Sequence, residues 1–101
     1  MKILAVGKDI KTMDFETNPE KMQKILNEEF IHFWEGYKYD FVREFYFRTD
    51  NKGVVLILEA NSVEEAEIEI NKLPLVKEGY VEFELIPLGY FRPFENLIPK
   101  E

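Results

Sequence analysis

The clearest candidates for chemistry are two ionisable side chains one helical turn apart. Glu29 falls among Met22, Ile25, Leu26, Phe30 and Phe33, a spacing that puts its carboxylate on or beside an apolar helical stripe. Burial without a charged partner raises a carboxyl pKa toward neutrality, where one group can both take and return a proton. A Glu at the edge of such a stripe can instead extend to water or pair with a base. His32, the only histidine, lies three residues after Glu29 and four after Glu28, within reach of a helical carboxylate contact. Such a contact would fix one ring tautomer and raise its basicity, suiting it to acid–base work near neutral pH. The plainer alternative is a half-exposed helix histidine with a local hydrogen bond.

Substrate-holding groups are sought among Arg43, Tyr46, Trp34 and Tyr80. Strict strand alternation puts Arg43 on the face of Phe41, Phe45 and Phe47, and Tyr46 and Arg48 with Glu44 on the other. An Arg rising from an aromatic face can clamp a carboxylate through two parallel hydrogen bonds. It can equally neutralise Glu29 or Glu82 inside the fold. The tyrosines and Trp34 offer donors or a flat apolar wall, roles that compete with plain core or interface packing.

Other chemistries lack their parts. There is no cysteine, hence no thiolate and no Cys-ligated metal. The single serine, Ser62, sits in a helix-capping pattern, and the glycines are isolated and form no phosphate-binding loop. One histidine without a His-x-x-x-His spacing predicts no metal site. The formal charge of -7, from 20 acidic against 13 basic residues with no basic cluster, disfavours nucleic acid and anionic membranes as partners. A small anionic substrate is still compatible with it, because one local Arg or Lys outweighs a weak overall field. Met1–Val6 is too short for a secretory signal and no stretch reaches the length of a membrane span, so a cytoplasmic location is expected.

These residues need elements to position them. A first strand covers residues 2–9. Asn18-Pro19 then reads as a helix start, Asn18 as cap and Pro19 at the first helical position, with the helix running to about Tyr37 near Gly36. Residues 41–48 and 54–60 form a hairpin across Thr49-Asp50-Asn51-Lys52-Gly53. Ser62-Val63-Glu64-Glu65 is a capping box opening a helix that runs to about Leu73 and is stopped by Pro74. A last strand spans residues 80–88, and Pro93 and Pro99 disfavour regular structure in the tail. The order β-α-β-β-α-β predicts an α+β, ferredoxin-like domain over 1–101, with two helices on one face of a four-stranded antiparallel sheet. The second sheet face, with Leu4, Val6, Ile86 and Leu88, would be partly apolar. Burial against a second copy, with the aromatic tail 89–101 reaching over the partner, would cover it. A monomer whose tail folds back on its own sheet is the alternative.

Leu73-Pro74-Leu75-Val76, followed by Gly79-Tyr80-Val81-Glu82-Phe83-Glu84-Leu85-Ile86-Pro87-Leu88, resembles the C-terminal half of the muconolactone isomerase-like family within the dimeric α/β-barrel superfamily. Arg43-Glu44-Phe45-Tyr46, the hairpin and the Glu65-Ala66 helix agree in order and spacing with the wider group. The resemblance implies a dimeric α/β barrel, and an isomerase that moves a proton and a double bond in a small unsaturated lactone or acid without metal or organic cofactor. It also implies assembly as a homodimer or an oligomer of dimers. On that reading Glu29 or His32 moves the proton, Arg43 holds negative charge, and Tyr46 or Tyr80 donates to the developing enolate. The N-terminal strand and first helix depart from the isomerase, as does the longer aromatic tail. A non-catalytic binding or oligomeric structural protein is the competing reading.

Overall fold

The computed structural model describes residues 1–98; the final three positions, Pro99 among them, lie outside the described residues. Strands β1 (Lys2–Asp9), β2 (Val42–Phe47), β3 (Val54–Glu59) and β4 (Val81–Leu88) form one antiparallel sheet in the order β2-β3-β1-β4. Helices α1 (Pro19–Lys38), α2 (Val63–Ile70) and the single turn α3 (Pro74–Lys77) complete the β-α-β-β-α-β order. This is the expected ferredoxin-like α+β fold.

The register explains the core. Ile3 pairs with Leu58 and Ala5 with Leu56, all four fully buried, so one face of the central strands is sealed. Val42, Ala66, Ile70 and Leu73 close over it from β2, α2 and the segment leading into α3. Gly7 is required where β1 passes β3, because a Cβ there would meet the Val54 carbonyl oxygen at 2.6 Å and the Phe83 ring at 2.9 Å. On the opposite face Leu4 and Ile57 align with Ile86, and Val6 and Val55 with Glu84. Its apolar centre is partly exposed, with Leu88 at 40%.

Several local expectations change. Asn18 makes no side-chain cap, and α1 begins with the Met22 N–H donating to the Asn18 carbonyl at 3.0 Å. The Ser62 hydroxyl does accept from the Glu65 N–H at 3.1 Å, whereas the Glu65 carboxylate receives the N–H of Asn61 rather than that of Ser62. α2 ends at Ile70 rather than at about Leu73, so Pro74 does not stop it; Pro74 occupies the first turn of α3, where its missing N–H costs nothing. Pro93 likewise sits in the first turn of a short 3-10 helix, Arg92–Leu97, so the tail is more regular than its prolines imply. Tyr90, Phe91, Phe94, Leu97 and Ile98 are each at least 60% exposed, and the molecule measures 66 Å along its longest axis. No helix among the described residues is long and apolar enough to cross a membrane.

Candidate functional site

The side of α1 that meets the sheet carries Met22, Ile25 and Glu29, its three buried residues. Positions 22, 25 and 29 lie within one face at 3.6 residues per turn, so Glu29 occupies the centre of the packed stripe rather than its edge. Phe30 and Tyr37, expected on that stripe, flank it and are about half exposed. Glu29 itself is 3% exposed.

The Glu29 Oε1 accepts the Leu75 backbone N–H at 3.1 Å, and no ion pair among the described residues reaches the carboxylate. Burial pushes the Glu29 carboxyl above its ordinary range, and the Leu75 hydrogen bond opposes only part of that rise. No buried side-chain oxygen or nitrogen among the described residues lacks a hydrogen-bond partner. The Oε2, which no donor among the described residues reaches, is therefore the oxygen that meets open space.

That space is a cleft of about 730 Å³, within the range of small-molecule sites. Leu26 and Phe33 of α1 and Val54, Val81 and Phe83 of the sheet give it an apolar lining beside Glu29. The segment after β1 adds a wall from Ile10 to Phe15, organised at Asp14, whose carboxylate accepts the Thr17 N–H at 2.9 Å. The Thr17 side chain, and after it this backbone bond, hold the Asp14 carboxyl below its ordinary range. Cations gather at the same cleft. Lys11 lies over the Tyr80 ring, 4.2 Å from its centroid, and Lys52 and Arg48 belong to the hairpin turn. Arg48 donates to the Asp50 carboxylate at 2.9 and 3.0 Å and to the Gly7 carbonyl at 3.2 Å. Among the described residues no cluster of three or more His, Asp or Glu could hold a metal ion.

Of the six residues singled out in the sequence, Glu29 and Tyr80 line this cleft, and the other four lie elsewhere. His32 faces a smaller groove with Glu35, Gly36 and Glu69. Trp34 is exposed on α1 and packs on Tyr37, ring centroids 6.2 Å apart. Tyr46 lies on the outer sheet face and donates to the Glu44 carboxylate at 2.6 Å. Arg43 does not share a face with Phe45 and Phe47, and it pairs with neither Glu29 nor Glu82. Val42 opposes Leu58 and Glu44 opposes Ile57, so Arg43 is the extra residue of a bulge. Its guanidinium is half exposed, 3.9 Å from Asp40.

Arg48 also departs from strict alternation. β2 ends at Phe47, so the turn rather than the pleat aims Arg48, and it bends back over β1 toward the cleft. Its position one residue before Thr49-Asp50-Asn51-Lys52-Gly53 was the available signal.

Comparison with known structures agrees with this architecture. Over 90% of this chain and 91% of the other, the structure superposes on that of muconolactone isomerase with a TM-score of 0.76 at 16% identity. The chain has the muconolactone isomerase fold. It also superposes on the 5-chloro-2-hydroxyhydroquinone dehydrochlorinase of Burkholderia phenoliruptrix AC1100, solved with 2,5-dihydroxybenzoquinone, with a TM-score of 0.64 at 16% identity. That match covers 92% of this chain and 98% of the dehydrochlorinase. No protein-family model and no curated protein sequence matches the chain. The fold expected from the C-terminal resemblance is thus the fold observed.

Proposed function

We propose that the chain is a cofactor-free isomerase that moves a proton and a double bond in a small unsaturated lactone or related acid. The observation that carries the reading is Glu29: a carboxyl buried to 3% exposure, raised in pKa, with one oxygen open to a cleft of ligand size. In the proposed step Oε2 takes a proton from carbon as that C–H bond breaks. The electron pair moves through the adjacent double bond onto the lactone carbonyl. The same oxygen then returns the proton to the far carbon of the allylic system, so no external oxidant, reductant or metal is needed. Tyr80 and the Lys11 ammonium beside it would stabilise the negative charge of the enolate, with Lys52 adding positive potential to the cleft. His32, Arg43, Tyr46 and Trp34 line no part of this cleft, and the reading assigns them no contact with substrate.

A homodimer belongs to the same proposal. The partly apolar outer sheet face and the exposed aromatic side chains of the tail are the surfaces it would cover. A cytoplasmic setting is the accompanying expectation. The test is proton NMR of the protein with muconolactone in D₂O beside a no-protein control. Protein-dependent migration of the double bond, or uptake of solvent deuterium, supports the reading. Unchanged substrate at high protein concentration removes this lactone and favours a non-catalytic binding role for the cleft.

A further inference from the structure

The segment Leu73-Pro74-Leu75 opens the stretch that carries the sequence resemblance. Its backbone does something more specific. The Leu75 N–H donates to Glu29 Oε1 at 3.1 Å, while the Leu75 carbonyl accepts the Tyr80 N–H at 2.9 Å. One residue thus joins the cleft carboxyl on α1 to the cleft tyrosine at the start of β4. The neighbouring residues leave this backbone few alternatives. Leu73 is anchored in the core at 6% exposure, and Pro74 has a fixed φ and no N–H to compete for the carboxylate. Within α3 the Val76 and Lys77 N–H groups go to the Leu73 carbonyl and the Glu78 N–H to that of Pro74, so the Leu75 N–H is committed to Glu29 alone.

We propose that Leu75 is a positioning residue whose backbone reserves Oε1 of Glu29, leaves Oε2 as the one oxygen that exchanges a proton, and fixes Tyr80 relative to it. The inference rests on the assignment of Glu29 as the proton-transfer group. The other titratable and charged groups around the cleft, Asp9, Lys11, Arg48, Lys52 and Tyr80, make no hydrogen bond to Glu29, so no side chain among the described residues duplicates the contact.

The experiment is carbon-13 NMR titration of the Glu29 side-chain carboxyl in the intact protein, for wild type, Leu75→Pro and Leu75→Met. Proline removes the N–H at a position that already tolerates helical φ; methionine keeps the N–H at similar volume. Loss of a donor to the ionised form raises the pKa. The expected result is an upward shift of the Glu29 midpoint in Leu75→Pro and no upward shift in Leu75→Met. An unshifted midpoint in folded Leu75→Pro overturns the proposal. A second reading needs no altered backbone: the Leu75 amide resonance of the wild type should titrate with the Glu29 midpoint, and that step should vanish in Glu29→Gln. A Leu75 amide that stays flat through the Glu29 titration overturns the proposal even where Leu75→Pro fails to fold. Neither readout depends on turnover, so failure of the isomerase reading and failure of the clamp are separable.

Discussion

Replacing Glu29 with Gln should make the protein more stable at neutral pH. The carboxyl is buried, has no cationic partner among the described residues and has its pKa raised by desolvation. A group whose folded-state pKa lies above its unfolded value stabilises the fold at low pH, and that contribution is lost as the pH rises through the folded midpoint. Each unit of such a rise corresponds to about 1.4 kcal/mol. Gln retains an acceptor for the Leu75 N–H, exchanging a hydrogen bond to a charged group for a neutral one that is weaker by about 1 kcal/mol. Removing a buried charge, whose desolvation costs several kcal/mol, outweighs that loss. The expected net gain is on the order of 1 kcal/mol, or about 4–8 °C in Tm for a chain of this size. Thermal unfolding followed by circular dichroism should show the gain at about pH 8 and its near disappearance at about pH 4, where Glu29 is largely protonated in both states. Destabilisation of equal size at both pH values would refute the reasoning, because a pH-independent effect would mean that the Glu29 midpoint is the same in the folded and unfolded chain.

Three other substitutions test the frame and the assembly. Ser62→Ala removes the acceptor for the Glu65 N–H at the start of α2 and should cost about 1 kcal/mol in thermal unfolding; an unchanged Tm would deny the cap any role. Gly7→Ala drives a Cβ toward the Val54 carbonyl oxygen at 2.6 Å and should cost about 1–3 kcal/mol in denaturant unfolding, with no loss expected only if β1 and β3 separate freely. Changing Tyr90, Phe91 and Phe94 together to Ser should weaken the proposed homodimer in sedimentation experiments while leaving the unfolding of the domain cooperative. Unaltered sedimentation would place the tail outside the interface.

The parts of the fold written in local chemistry were legible in the sequence. Thr49-Asp50-Asn51-Lys52-Gly53 marks the hairpin because its residues tolerate turn conformations, and Gly53 indeed has a positive φ. Ser62 marks the start of α2 because its hydroxyl can accept an N–H of the first turn that has no partner within the helix. The apolar period of α1 found the helix and placed Glu29 on its buried side, although not at its centre. What depends on pairing between distant segments was hidden. The bulge at Arg43 exists only relative to β3, and it cancels the alternation that had put Arg43 beside the phenylalanines. Arg48 reaches the cleft through the Gly7 carbonyl, 41 residues earlier in the chain. The Leu75 N–H meets Glu29 across 46 residues, so the Leu-Pro-Leu segment shows its role only once α1 and α3 are packed together. Tyr80 was a candidate donor from the sequence, whereas the Lys11 ammonium over its ring is a tertiary contact.

The central claim is that Glu29, and not His32, moves the proton. The direct measurement is the rate of solvent-deuterium uptake into muconolactone, followed by proton NMR in D₂O for wild type, Glu29→Gln and His32→Gln, each shown to be folded. The account predicts that Glu29→Gln is slower by about 10²–10⁴-fold, the usual contribution of a positioned acid–base group, and that His32→Gln keeps the wild-type rate. An active wild type whose rate survives in Glu29→Gln would contradict it.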